Sequence, residues 1–171
     1  VQKEQRWLPI LANHLPLAIP KPLGMGVPGE GYPFHWSVMS WLPGETLASQ
    51  QQEAQQNIAI ALAEFLNALR RAPAADGPKP GTHNFYRGGD LRIYDQEVRH
   101  SLKQLGSTVD QKAVLNVWTR ACHSHWTQAP VWLHGDVAQG NLLVMDGRLS
   151  SVIDFGCGGI GDPACDLTIA W

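Results

Sequence analysis

Two carboxylates and one carboxamide stand at fixed points late in the chain: Asp136, Asn141 and Asp154. Asp136 and Asn141 lie in the run His134-Gly135-Asp136-Val137-Ala138-Gln139-Gly140-Asn141, and Asp154 opens Asp154-Phe155-Gly156. Between them, Leu142 to Met145 and Leu149 to Ile153 read as two strands joined at Asp146-Gly147, a strong hairpin signal. A hairpin returns the chain to its starting level, so Asn141 and Asp154 are expected side by side. Hard oxygen donors with room for water and phosphate suit Mg²⁺ better than a softer metal. Asp136, in a loop after the short strand Val131-Trp132-Leu133, would face the same space. A carboxylate there can take a proton from a hydroxyl nucleophile. Phosphoryl transfer needs these parts: a metal on the phosphate oxygens and an acid residue that orients the attacking hydroxyl.

The remaining elements must carry this ribbon. Gln2 to Leu15 shows helical spacing at Trp7, Leu8, Leu11 and Leu15, with Pro9 shortening or kinking the helix. Pro16, Pro20 and Pro22 impose an extended path, Gly24 to Gly31 is turn-rich, and Trp36 to Leu42 reads as a strand ended by Pro43-Gly44. Ser49 to Arg71 is the clearest helix. Ile58, Leu62, Phe65, Leu66 and Leu69 form its apolar stripe, and Ser49 with Gln52 can form a capping box. Pro73 to Asn84 reads as a loop. Tyr94 to Leu105 and Asp110 to Trp126 are weaker helices, the second with Asp110 as cap. Asp162-Pro163 is a good helix start after the Gly158–Gly161 stretch, and a final helix is expected from Asp166 to Trp171.

The chain has 171 residues, 44% hydrophobic and 16% charged, with net charge −2. That is globular composition without the basic footprint of a nucleic-acid or anionic-membrane partner. The longest aliphatic run, Ile58 to Ala63, is far below the roughly 20 residues that cross a bilayer. Three cysteines at no metal spacing point to a reducing, cytoplasmic setting. Cys157 and Cys165 read as small buried residues with no basic neighbours. His123 and His125, two apart on a helix, face different sides and do not converge on a metal. The chain begins at Val1 and stops at Trp171 inside an uncapped helix, which suggests a piece of a longer protein.

The spaced Asp, Asn and Asp-Phe-Gly resemble the protein-kinase pattern. Gly135 before Asp136 makes the variant His-Gly-Asp, similar to the aminoglycoside phosphotransferase and choline-kinase branch of the kinase-like fold. Lys3-Glu4-Gln5-Arg6-Trp7-Leu8-Pro9, Tyr32 to Val38, Trp41-Leu42-Pro43-Gly44-Glu45, Tyr86-Arg87-Gly88-Gly89 and Gly161 to Leu167 also resemble that family, in order along the chain. The loop departs from it at Val137-Ala138-Gln139-Gly140, where relatives often carry Leu-His-Pro-Gly.

The resemblance implies an α+β, protein-kinase-like fold. Residues 1–42 would be the last part of the small lobe with the inter-lobe linker, and 43–171 a mostly helical part of the large lobe. It implies a phosphotransferase using ATP or GTP with Mg²⁺ on a hydroxyl of a small molecule. Asp136 would be the catalytic base, with His134 bracing its loop. Asn141 and Asp154 would bind the metal, and Ser40 and Leu42 would meet adenine. Glu4 would match the helix Glu that pairs with a phosphate-binding Lys. Asp162 and Asp166 would be structural. No Lys after Glu4 (Lys21, Lys79, Lys103, Lys112) sits in a V-A-x-K context, so that partner is expected upstream. The chain alone is then expected to show little activity and to self-associate through open strand edges. Asp90, Asp95 and Glu97 are candidates for an acidic acceptor pocket. Two other readings stay open: a non-catalytic nucleotide-binding remnant of this fold, and a metal-dependent hydrolase using His134, Asp136 and Asp154.

Overall fold

The Asp146-Gly147 turn closes the hairpin as its residue types require. Both residues have positive φ, 52° and 72°, the type I′ geometry that matches strand twist. The computed structural model describes residues 1–49 and 55–170. The described residues hold helices α1 (Gln2–Leu11), α2 (Gln55–Arg71), α3 (Asp95–Leu105) and α4 (Gln111–His123). The strands are β1 (Pro22–Gly26), β2 (Trp36–Met39), β3 (Glu45–Thr46), β4 (Val131–Leu133), β5 (Leu142–Met145), β6 (Arg148–Val152) and β7 (Gly159–Gly161). Three small antiparallel sheets result, β1-β2, β3-β5-β6 and β4-β7. No described helix is long and apolar enough to cross a membrane.

The chain forms two compact units, one of residues 1–88 and 130–171, the other of residues 89–129. The core of the first is the predicted α2 stripe packed with the ribbon. Ile58, Leu62, Phe65, Leu66 and Leu69 join Leu8 and Leu11 of α1, Trp132 of β4, and Leu142, Val144, Leu149 and Val152 of the hairpin. Burying each of these side chains contributes about 1.5–3 kcal/mol. Trp7 meets Trp132 edge to face, ring centres 5.0 Å apart. The Pro-rich segment bends at Pro16 and Leu17 where an extended path is expected, and Ala18 then lies beside Ser151, accepting from Val152 N at 3.1 Å. In the second unit, Asp110 caps α4 through Ala113 N at 3.0 Å, and Asp95 accepts from Trp118 Nε1 at 2.8 Å.

Several boundaries differ from the sequence expectation. α1 stops at Leu11 and α4 at His123, three residues short of Trp126. The stretch expected to be helical from Asp166 is a 3₁₀-helix, Pro163–Ala170. Strands β1, β3 and β7 were not anticipated. β7 falls in the Gly158–Gly161 stretch, whose glycines admit neighbouring backbone. A Cβ on Gly161 would stand 2.3 Å from Gly88 O, and one on Gly159 would stand 2.9 Å from Pro78 O. The Ser49–Gln52 capping box lies outside the described residues.

Candidate active site

Strand β4 delivers the chain into the loop that begins at His134. The imidazole is fully buried, 0% exposed. Its Nδ1 accepts from Asp136 N at 3.2 Å, so Nε2 carries the proton and donates to Ile153 O at 3.0 Å. The Phe155 ring lies 4.6 Å away, centre to centre. Burial pushes the His134 pKa below its ordinary value and keeps the ring neutral, against the opposing pull of Asp166 and the Ile153 carbonyl. The ring therefore braces two strands of backbone, Asp136 on one side and Ile153 on the other.

Asp166 holds the same loop from beneath. Its Oδ2 accepts from His134 N at 3.0 Å and its Oδ1 from Gly135 N at 2.8 Å. Burial raises its pKa, and these two N–H bonds act against that rise. Gly135 between them has φ +81°, and a Cβ there would stand 2.5 Å from Cys157 O. Glycine is thus the residue that lets the loop pass so close to the turn after Asp154.

Asp136 and Asn141 meet directly. Asn141 Nδ2 donates to Asp136 Oδ2 at 3.1 Å and to Asp136 O at 2.9 Å. Asn141 O in turn accepts from Ile153 N at 2.9 Å, which puts Asn141 across the ribbon mouth from the residue before Asp154. Asp154 is exposed, adopts φ +62°, and accepts from Gly156 N at 3.2 Å through Oδ1. With its nitrogen held by Asp136, the Asn141 side chain would offer its oxygen to a metal. A carboxamide oxygen and an exposed carboxylate at one ribbon mouth fit a hard divalent cation.

The other predicted residues lie as follows. Glu4 on α1 has the Val1 ammonium 3.4 Å from its Oε2. Ser40 is tied to Lys21, its N donating to Lys21 O at 2.8 Å and its Oγ accepting from Lys21 N at 2.9 Å. Leu42 is half-buried. Asp162 caps the 3₁₀-helix, accepting from Ala164 N at 2.9 Å. Asp90 pairs with Arg92, which holds its carboxyl down at about 2, and Asp95 pairs with Arg99 at 2.8 Å. Cys165 is pushed up to about 12 by burial. Cys157 is raised too, although Arg87 and Lys3 stand near it, contrary to the expectation of no basic neighbours.

Sequence reasoning passed over Lys3 and Asn84. Lys3 Nζ reaches the turn after Asp154, donating to Gly156 O at 2.7 Å and Gly158 O at 2.9 Å. Asn84, fully buried, binds Gly81 N at 3.0 Å and Arg87 O at 3.2 Å. The one signal for Lys3 was its place in the Lys3-Glu4-Gln5 run.

The sequence profile of the phosphotransferase enzyme family matches residues 1–171. No curated protein matches the chain. Among solved structures, the GDP and kanamycin complex of APH(2″)-IIia matches with TM-score 0.69 and 22% identity over 98% of this chain and 59% of that one. The GDP complex of wild-type aminoglycoside 2'-phosphotransferase-IIIa matches with TM-score 0.68 and 24% identity over 98% and 59%. A thermostable mutant of aminoglycoside phosphotransferase APH(4)-Ia, in ternary complex with ADP and hygromycin B, matches with TM-score 0.61 and 22% identity over 93% and 57%. The chain therefore spans about three fifths of the length of these structures. With a protein-kinase-like fold and a profile match from end to end, the chain belongs to the phosphotransferase enzyme family.

Proposed function

We propose that the protein transfers the γ-phosphoryl group of ATP or GTP to a hydroxyl of a small molecule. In this reading residues 1–42 belong to the small lobe and linker, and 43–171 to the catalytic lobe. The observation that carries it is the Asp136–Asn141 pair held at the mouth of the ribbon that ends in Asp154. Family membership supports the reaction class. The nucleotides named in the similar structures, GDP and ADP, support a nucleotide donor.

Asp136 orients the acceptor hydroxyl and takes its proton. Asn141 holds the Asp136 side chain through Oδ2, so the carboxylate keeps one direction and its other oxygen would be left for the acceptor hydroxyl. The Asn141 oxygen and the Asp154 carboxylate would hold Mg²⁺. A bound Mg²⁺ would neutralise charge on the phosphate oxygens during transfer. His134 and Asp166 fix the loop backbone so that these groups need no reorganisation when substrate arrives. Ser40 and Leu42, with the linker backbone, would line the adenine side, and Glu4 would serve the phosphate side. The similar structures hold kanamycin and hygromycin B, which favours a polyhydroxylated, amine-bearing acceptor.

The test is nucleoside diphosphate release from ATP and GTP against a panel of hydroxyl compounds, including aminoglycosides. Asp136→Asn should lower turnover by about a hundredfold or more while nucleotide binding stays within about twofold. Turnover retained in Asp136→Asn would overturn the assignment.

A further inference from the structure

The Lys3 ammonium has three N–H donors, and all three are engaged, two by backbone carbonyls and one by a ring nitrogen. Gly156 O lies at 2.7 Å, Gly158 O at 2.9 Å and His83 Nδ1 at 3.1 Å. His83 Nε2 in turn contacts Lys79 O at 2.8 Å. That leaves Nδ1 as the His83 nitrogen that accepts from Lys3. Lys3 is half-buried, and burial lowers its pKa. A cation placed there, with no carboxylate among its acceptors, serves the backbone it binds.

That backbone is the turn on which Asp154 is presented. Asp154 is a non-glycine residue at φ +62°, a conformation kept only where the surroundings over-determine it. The turn is held from three sides. Phe155 is buried in the core against His134, and Gly156 N donates to the Asp154 carboxylate. Lys3 draws the carbonyls of Gly156 and Gly158 toward α1. Two residues on, Gln5 Nε2 donates to Gly24 O at 2.9 Å and to the Ser37 hydroxyl. One helix thus grips the β1–β2 hairpin with Gln5 and the Asp154 turn with Lys3.

The geometry points to Lys3 as a positioning residue that sets the direction of the Asp154 carboxylate toward its metal by clamping the Gly156 and Gly158 carbonyls. The inference rests on the reading of Asp154 as a metal-binding residue. Lys3 touches neither nucleotide nor acceptor in this role. Its effect belongs to metal dependence and not to the acceptor.

ADP binding titrated with Mg²⁺ tests this, together with amide hydrogen exchange of residues 154–158 in the metal-free protein. In Lys3→Met the Mg²⁺ concentration for half-maximal ADP binding should rise about tenfold. ADP affinity without metal should stay within about twofold, and exchange at Gly156 and Gly158 should quicken about tenfold. Lys3→Gln, which keeps donors on a shorter side chain, should rise roughly threefold, and it decides the matter if Lys3→Met does not fold. Arg6→Gln, on the same helix but stacked over Trp7, should match the wild type. Unchanged metal dependence in a Lys3 variant of a Mg²⁺-dependent wild type overturns the role of Lys3. So does an equal loss of ADP binding with and without metal. A wild type indifferent to Mg²⁺ overturns the metal reading of Asp154 itself, a different failure.

Discussion

Asp166 places both carboxylate oxygens on consecutive backbone N–H groups, His134 N and Gly135 N, while itself only 1% exposed. Removing it strands two buried donors. Asp166→Ala should therefore cost about 2–5 kcal/mol, read as a lower urea midpoint at unchanged m-value. Gly135→Ala should be at least as damaging, since it combines positive φ with a Cβ 2.5 Å from Cys157 O. His134 adds a pH dependence. Its folded pKa lies below its ordinary value of 6.5. Below pH 6.5 the unfolded chain takes up a proton that the folded ring refuses. The stabilisation from the neutral ring is thus whole above that value and is lost as pH falls below it, by up to about 1.4 kcal/mol per pH unit. Ring nitrogen shifts in NMR should show His134 titrating below its ordinary value of 6.5. A midpoint at or above that value would contradict the buried, Nε2–H geometry.

At the scale of elements, glycines with different surroundings should give different penalties. Gly147 needs positive φ but has open space around it, so Gly147→Ala should cost about 1 kcal/mol and leave activity intact. Gly161→Ala drives a Cβ to 2.3 Å from Gly88 O. That should separate β7 from its neighbour and cost several times more, seen as a large fall in thermal midpoint. The same contrast explains what the sequence made legible. The hairpin was readable because Asp146-Gly147 and the apolar runs beside it are local signals. The α2 stripe was readable because its period of 3.6 repeats over about three turns, from Ile58 to Leu69. β7 was not, because Gly159-Ile160-Gly161 carries no side-chain alternation, and its strand conformation is selected by β4 and Gly88. Asp136, Asn141 and Asp154 could be picked out by type and spacing. Lys3 could not, since the two carbonyls it clamps lie more than 150 residues away and nothing local marks a lysine as a backbone clamp.

At the scale of the molecule, resistance to opening should follow where apolar side chains are buried. In residues 1–88 and 130–171, α2 buries Ile58, Leu62, Phe65, Leu66 and Leu69. In residues 89–129, α4 buries no side chain fully and α3 buries Leu102 alone. That smaller unit relies on Asp95, with its bonds to Arg99 and Trp118, and on the Asp110 cap. Exposed pairs and caps of this kind contribute about 1 kcal/mol each or less. Its amides should therefore exchange through low-energy local opening, while those of α2 wait for global unfolding. Native-state hydrogen exchange should show α3 and α4 amides exchanging at least about tenfold faster than those of Phe65 to Leu69, with little dependence on denaturant. Asp110→Ala should quicken exchange in α4 and leave α2 unmoved. Equal protection across α2, α3 and α4 would mean that the two units open together and that the chain unfolds as one cooperative body.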